Sequence, residues 1–197
     1  IDADAAAARG VQVVTLAGVA TEEVAAHALT LLLAAERSLL RSLQLVRSGE
    51  WTDEATARLQ VPRRLSSLTL GLVGLGRIGG RLAEIARPSF GRVLAFDPYA
   101  QRAPEGVELV GSLAELLRAS DSLSLHLPLT AESRGILGEE ALALLPAGAV
   151  VVNVSRAALV DEAAVQAALA SGALRTYAAD VLDGEPPHPS DSMRTDP

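Results

Sequence analysis

The stretch Gly74-Leu75-Gly76-Arg77-Ile78-Gly79 has the spacing of a turn that cradles a dinucleotide pyrophosphate. Each glycine has a separate task. Gly74 permits the tight turn, Gly76 removes the Cβ that would strike a phosphate, and Gly79 lets the following helix pack close to its strand. The helix start near Arg77 and Ile78 offers unpaired amides to an anion. An ordinary Gly-rich turn is the alternative, and context weighs against it. An apolar run (68–73) leads directly into the motif, a helical pattern follows, and a second apolar run ends in Asp97, eighteen residues past Gly79. A carboxylate there can accept both ribose hydroxyls of an adenosine and repel a 2′-phosphate, which favours NAD over NADP. Arg102, five residues on, could soften that preference.

Three further places carry chemistry. Arg156 follows the apolar run AVVVNV, whose Asn153 is the sole asparagine of the chain. A guanidinium at the carboxyl end of a buried strand can pair bidentately with a substrate carboxylate, with a structural salt bridge as the alternative. Asp180 and Glu185 bracket a strand-to-loop exit, where Asp180 would face the nicotinamide end of a cleft and Glu185 could orient a histidine. The three histidines are scattered, so no metal set is expected. His126 suits either cofactor contact or packing, His27 reads as structural and His188 as solvent-facing.

The elements that must position these groups follow from the pattern. From Leu68 onward, strands at 68–73, 92–96, 107–110, 122–127, 149–154 and 176–182 alternate with helices at 77–87, 112–119, 138–145 and 161–171. Ser112 and Glu115 form a capping box, and Asp161 caps the last helix. Strands apolar on both faces and separated by helices predict an α/β fold, a Rossmann-type doubly wound parallel sheet of about six strands covered on both sides. Before it, 3–9 reads as a short helix, 11–16 as a strand, and Thr21 as the cap of one helix of about 27 residues, roughly 40 Å long. That helix carries Leu29, Leu31, Leu32, Leu33, Leu39, Leu40, Leu43 and Leu45, more apolar surface than one core face buries, and so predicts a homodimer.

Composition narrows the class. The 197 residues include no cysteine and no lysine, and the net charge is −7. A disulfide framework and a Cys nucleophile are excluded, a reducing, cytoplasmic setting fits, and no basic stripe invites nucleic acid. No apolar run reaches the roughly 18 residues of a membrane span.

Taken together, GLVGLGRIGGRLAEIA, VLAFDPYA, the run from LHLPLT to DEAAV and ADVLDGEPP resemble the NAD-dependent D-isomer-specific 2-hydroxyacid dehydrogenases. That family includes phosphoglycerate dehydrogenase, glyoxylate/hydroxypyruvate reductase, D-lactate dehydrogenase and the C-terminal-binding-protein corepressors. The resemblance covers nearly the whole chain. It implies two domains: 1–20 as a remnant of a flavodoxin-like substrate domain, 21–66 as an interdomain and dimerisation helix with linker, 67–185 as the dinucleotide-binding domain and 186–197 as the start of the return. It also implies roles. Arg156 matches the arginine that grips the substrate carboxylate and carbonyl. Glu185 matches the acid paired with the catalytic histidine, and Asp180 the carboxylate that bonds the nicotinamide carboxamide. Leu127, Pro128, Val154 and Ser155 match backbone contacts to the cofactor.

The usual Arg-Gly reads Arg156-Ala157 here, which predicts an altered local turn. The family's histidine lies about twenty residues past the glutamate, beyond Pro197, and both chain ends read as cuts through a longer protein. The implied function is hydride transfer between NAD(H) and a small 2-hydroxy/2-oxo acid. An NAD(H)-binding corepressor-like protein, or an inert fragment, is the alternative. The 197 residues alone are expected to bind NAD without turning it over.

Overall fold

A computed structural model describes residues 1–197 except 17, 51, 58–60 and 184–197. In chain order the elements are α1 (Ala3–Ala8), α2 (Thr21–Glu36), α3 (Leu39–Ser48), α4 (Asp53–Ala57), β1 (Thr69–Val73), α5 (Arg77–Ala86), β2 (Arg92–Phe96), β3 (Glu108–Leu109), α6 (Leu113–Ala119), β4 (Ser122–Leu125), α7 (Glu139–Leu142), β5 (Ala149–Asn153), α8 (Glu162–Ala170) and β6 (Leu174–Ala179). The six strands form one sheet in the order β3-β2-β1-β4-β5-β6, and every pairing is parallel. The order reverses between β1 and β4, which leaves a crevice outside their carboxyl ends.

Strand alternation divides the core in two. Leu70, Leu72, Val93, Ala95, Val150 and Val152 face α2 and α5. Val73, Leu94, Leu123, Leu125 and Val151 face α6, α7 and α8. Apolar residues on both faces of each central strand are what a sheet covered by helices on both sides requires. The anticipated fold class is therefore the one observed.

Small residues set the close approaches. Gly71 has no Cβ because one would lie 2.0 Å from the Ser120 hydroxyl oxygen. On β4, Ser122 and Ser124 are fully buried. Ser122 donates to Glu36, itself fully buried at the end of α2, while Arg63 clamps the same carboxylate through Nε and Nη2 at 3.1 and 2.6 Å. This charge network fixes the end of α2 over the sheet centre.

Several expected elements are redrawn. The helix from Thr21 is two helices, broken at Ser38, which adopts φ 50°. Thr21 does not cap: Ala20 occupies that position and makes no side-chain cap bond. Residues 11–16 are not a strand, and Val11, Val14 and Leu16 are exposed. They pair with no strand among the described residues, and a β-type run without a partner gains no ladder. The β4 strand stops at Leu125 and β6 at Ala179, so His126–Pro128 and Asp180 stand on the loops just beyond. The capping box is half formed: the Ser112 hydroxyl accepts from the Glu115 amide, but Glu115 accepts from Gly111.

Candidate active site

The carboxyl ends of β1, β2, β4, β5 and β6 carry all the described candidate residues. Gly74 has φ 95°, and a Cβ on it would lie 2.6 Å from the His126 carbonyl oxygen. A Cβ on Gly79 would lie 2.2 Å from the Gly74 carbonyl oxygen. These two glycines are required by the protein's own packing. Gly76 is different: a Cβ there would meet nothing within 4 Å among the described residues. It caps α5 with extended backbone (φ −69°, ψ −164°) and is exposed, as is Arg77, while Ile78 packs partly inward. That open space above a helix start is what a pyrophosphate needs, so these residues fit a dinucleotide.

Asp97 stands beside this turn. One carboxylate oxygen accepts from the Leu75 amide at 2.8 Å, and the other accepts from the Tyr99 amide at 2.9 Å. The acid therefore ties β2 to the Gly-rich turn, and each oxygen keeps a lone pair for a ribose hydroxyl.

Next to it, the β4 exit is fixed from below. The His126 amide donates to Val73, and the Gly74 amide to Phe96. The His126 ring lies at 2.9 Å from the Ser124 hydroxyl through Nε2, while Nδ1 is enclosed without a partner among the described residues. Burial pushes its pKa down to about 4. Of the two readings open for His126, packing beneath the turn is the one the geometry favours. Leu127 is half-buried against Gly74 and Pro128 is exposed, its carbonyl accepting from Ser133 at 2.7 Å.

At the β5 exit the fully buried Asn153 acts as a clamp. Its amide nitrogen donates to the Arg156 carbonyl at 2.9 Å, and its oxygen accepts from the Ser155 amide at 3.0 Å. Ser155 in turn donates to the Leu125 carbonyl at 2.7 Å, which binds this turn to β4. Val154 is buried and Arg156 exposed. Arg156 has extended backbone (φ −147°, ψ 137°), and its guanidinium donates to the Ser155 carbonyl at 2.6 Å. No carboxylate pairs with it among the described residues, which removes the structural salt bridge as its explanation there. After it, Ala157–Leu159 forms a 3-10 turn, and Ser38 is the only described non-glycine residue with positive φ. The Arg-Ala departure is thus accommodated without strain at Ala157.

Asp180 sits one residue beyond β6, its amide donating to the Asn153 carbonyl at 3.4 Å. Its Oδ2 lies 3.4 Å from His27 Nε2 on α2. Sequence reasoning missed this pair because the partners are far apart in the chain. It also left Asn153 without a task, although a lone asparagine at a strand's carboxyl end was a usable signal. Tyr177, whose hydroxyl is 3.4 Å from the Asn153 amide nitrogen, was missed outright; burial raises its pKa. Glu185 and His188 lie outside the described residues. No cluster of three His, Cys, Asp or Glu side chains able to hold a metal occurs among the described residues.

Residues 29–197 match the family model described as "D-isomer specific 2-hydroxyacid dehydrogenase, NAD binding domain". Among curated relatives, D-3-phosphoglycerate dehydrogenase of Methanocaldococcus jannaschii is 36% identical over 95% of this chain and 36% of its own length. Glyoxylate reductase of Aeropyrum pernix is 38% identical over 96% of this chain and 58% of its own. The chain thus spans between about a third and three fifths of these relatives. The solved NAD-dependent formate dehydrogenase of Staphylococcus aureus, in complex with NAD, superposes with a TM-score of 0.88 at 31% identity, over 100% of this chain and 58% of that one. With its Gly-rich turn, its acid at the end of β2 and its strand order, the chain belongs to the D-isomer specific 2-hydroxyacid dehydrogenases, in the family of their NAD-binding domain.

Proposed function

We propose that the protein of which this chain forms the dinucleotide-binding part transfers a hydride between NAD(H) and C2 of a small 2-hydroxy/2-oxo acid. The observation that carries this is Arg156: an exposed guanidinium at the carboxyl end of β5, without a carboxylate partner among the described residues, on a turn clamped by buried Asn153. The nicotinamide, when bound, supplies or accepts the hydride. Gly74, Gly76, Arg77, Ile78 and Gly79 hold the pyrophosphate, and Asp97 the adenosine ribose. Leu127, Pro128, Val154 and Ser155 line the cofactor with backbone, and Asp180 receives the carboxamide. Arg156 grips the substrate carboxylate and polarises the C2 carbonyl, and Glu185 orients the histidine that moves the proton. Residues 1–20 and 186–197 belong to the substrate domain and 21–66 to the interdomain segment. The molecule works as a homodimer in the cytoplasm; no described helix is long and apolar enough to cross a membrane. The relatives' enzyme names support this reading over a corepressor-like one.

The test is NADH oxidation by the full reading frame with glyoxylate, hydroxypyruvate, pyruvate and 3-phosphohydroxypyruvate. One of these is turned over, and Arg156→Ala lowers kcat/KM by about 100-fold or more, the loss expected for a charged bidentate contact. A variant within twofold of the parent sinks the assignment of Arg156.

A further inference from the structure

The α2 helix touches both ends of the crevice. Near its start, Glu22 accepts from Arg81 of α5 at 2.8 Å, at the pyrophosphate end. One turn later, His27 Nε2 stands 3.4 Å from Asp180 Oδ2, at the end assigned to nicotinamide. The stripe of α2 that packs on the sheet is Ala25, Ala28, Leu32 and Ala35. His27 lies off that stripe, so core packing does not explain its presence.

Exposure separates the possible purposes of the pair. The side chains of His27 and Asp180 are 47% and 39% exposed. A pair this wet contributes little to folding. What it can do is restrict a carboxylate that otherwise swings freely on the loop after β6. The Asp180 backbone is already tied to Asn153. With His27 standing against Oδ2, Oδ1 is the oxygen without a neighbouring donor among the described residues, and an N–H donor arriving from the crevice would meet it.

We propose that His27 is a positioning residue: it fixes the Asp180 carboxylate so that one oxygen is presented to the nicotinamide carboxamide. This rests on the assignment of Asp180 to the nicotinamide end. A restricted acceptor loses less conformational freedom on binding, and the gain falls only on ligands that reach Asp180.

NAD and ADP-ribose, which lacks the nicotinamide, are titrated by calorimetry into the parent chain and into His27→Ala, His27→Gln and Asp180→Ala. The parent binds NAD more tightly than ADP-ribose. His27→Ala reduces that ratio about fivefold, the size of one weakened polar contact. It leaves ADP-ribose affinity and the unfolding temperature unchanged. His27→Gln, which keeps a donor, recovers part of the ratio, and His27→Ala has no effect in the Asp180→Ala background. A ratio unchanged in His27→Ala overturns the proposal, as does an equal loss for both ligands or a full effect without Asp180. Failure of the parent to bind either ligand overturns the dinucleotide reading itself. Equal binding of both by the parent removes the role of Asp180 and, with it, that of His27.

Discussion

Asp97 accepts from Leu75 through one oxygen and from Tyr99 through the other, and this changes what its removal should do. Charge repulsion alone predicts that Asp97→Ala only relieves a penalty against NADP. The structure adds a loss: the Gly-rich turn keeps its Gly74–Phe96 backbone bond to β2 but loses the Leu75–Asp97 tie beside it. In the parent, NAD should bind at least about tenfold tighter than NADP, roughly 1.4 kcal/mol. In Asp97→Ala, NAD affinity should fall about tenfold while NADP stays nearly level, because relieved repulsion and the loosened turn offset each other. Calorimetry that finds undiminished NAD affinity in the variant contradicts the tie. His126 gives a second prediction at this scale. Its folded pKa, lowered to about 4 by burial, lies below the ordinary 6.5. The unfolded chain therefore takes up a proton before the folded one does. The contribution of neutral His126 is complete above pH 6.5 and is lost as pH falls towards 4, about 3 kcal/mol over that window. Urea unfolding of His126→Gln should show a flatter acid limb than the parent between those values; parallel limbs would rule this out.

Among the elements, the break between α2 and α3 is where pattern and structure part. The leucine pattern runs through Ser38 without interruption, and no glycine or proline marks a stop. Ser38 nevertheless adopts φ 50°, ψ 39°, a conformation unfavourable to any residue with a Cβ. Two contacts outside the helix explain it. Glu36 is drawn into the charge network with Arg63 and Ser122, and Arg175 reaches the Ser38 hydroxyl at 3.4 Å. Tertiary bonds between residues remote in sequence leave no periodic trace, so the break was illegible. Ser38→Gly should relieve the backbone at the cost of one long hydrogen bond, for a net gain of about 0.5–1 kcal/mol. In a chain of this size the unfolding temperature should rise by about 2 °C. A fall would show that the hydroxyl contact matters more than the backbone.

At the scale of the molecule, the parallel sheet was legible because each βα unit announces itself locally. Apolar strands, a glycine turn and capped helices recur within a few tens of residues, while the strand order, which the same alternation leaves open, came from the structure. The candidate residues were legible as positions at the carboxyl ends of the strands, where ligands bind in such folds. The couplings of Asp180 to His27 and of Asn153 to the turn were not, because they join distant segments. The apolar excess of the helical stretch was also visible in sequence, and the structure relocates it. On α2, Leu32 is buried and Leu29 and Leu31 pack partly against the core, so that helix satisfies the sheet. The surplus lies on α3, where Leu39, Leu40, Leu43 and Val46 are 58%, 62%, 42% and 60% exposed. Leu39, Leu43 and Val46 follow one another at helical spacing on one stripe. Beside Leu39 and Leu40 opens a cavity of about 630 Å³ between α2–α3 and β6–α8. An amphipathic helix with its apolar stripe in water is a strong association site. The chain should therefore run in light scattering at twice its 20.4 kDa mass at tens of micromolar. The double variant Leu39→Glu, Leu43→Glu places two charges on the stripe that the isolated chain already exposes. It should yield monomers with unchanged helix content and NAD affinity. A parent that stays at single-chain mass, or a variant that remains dimeric, removes α3 from the interface.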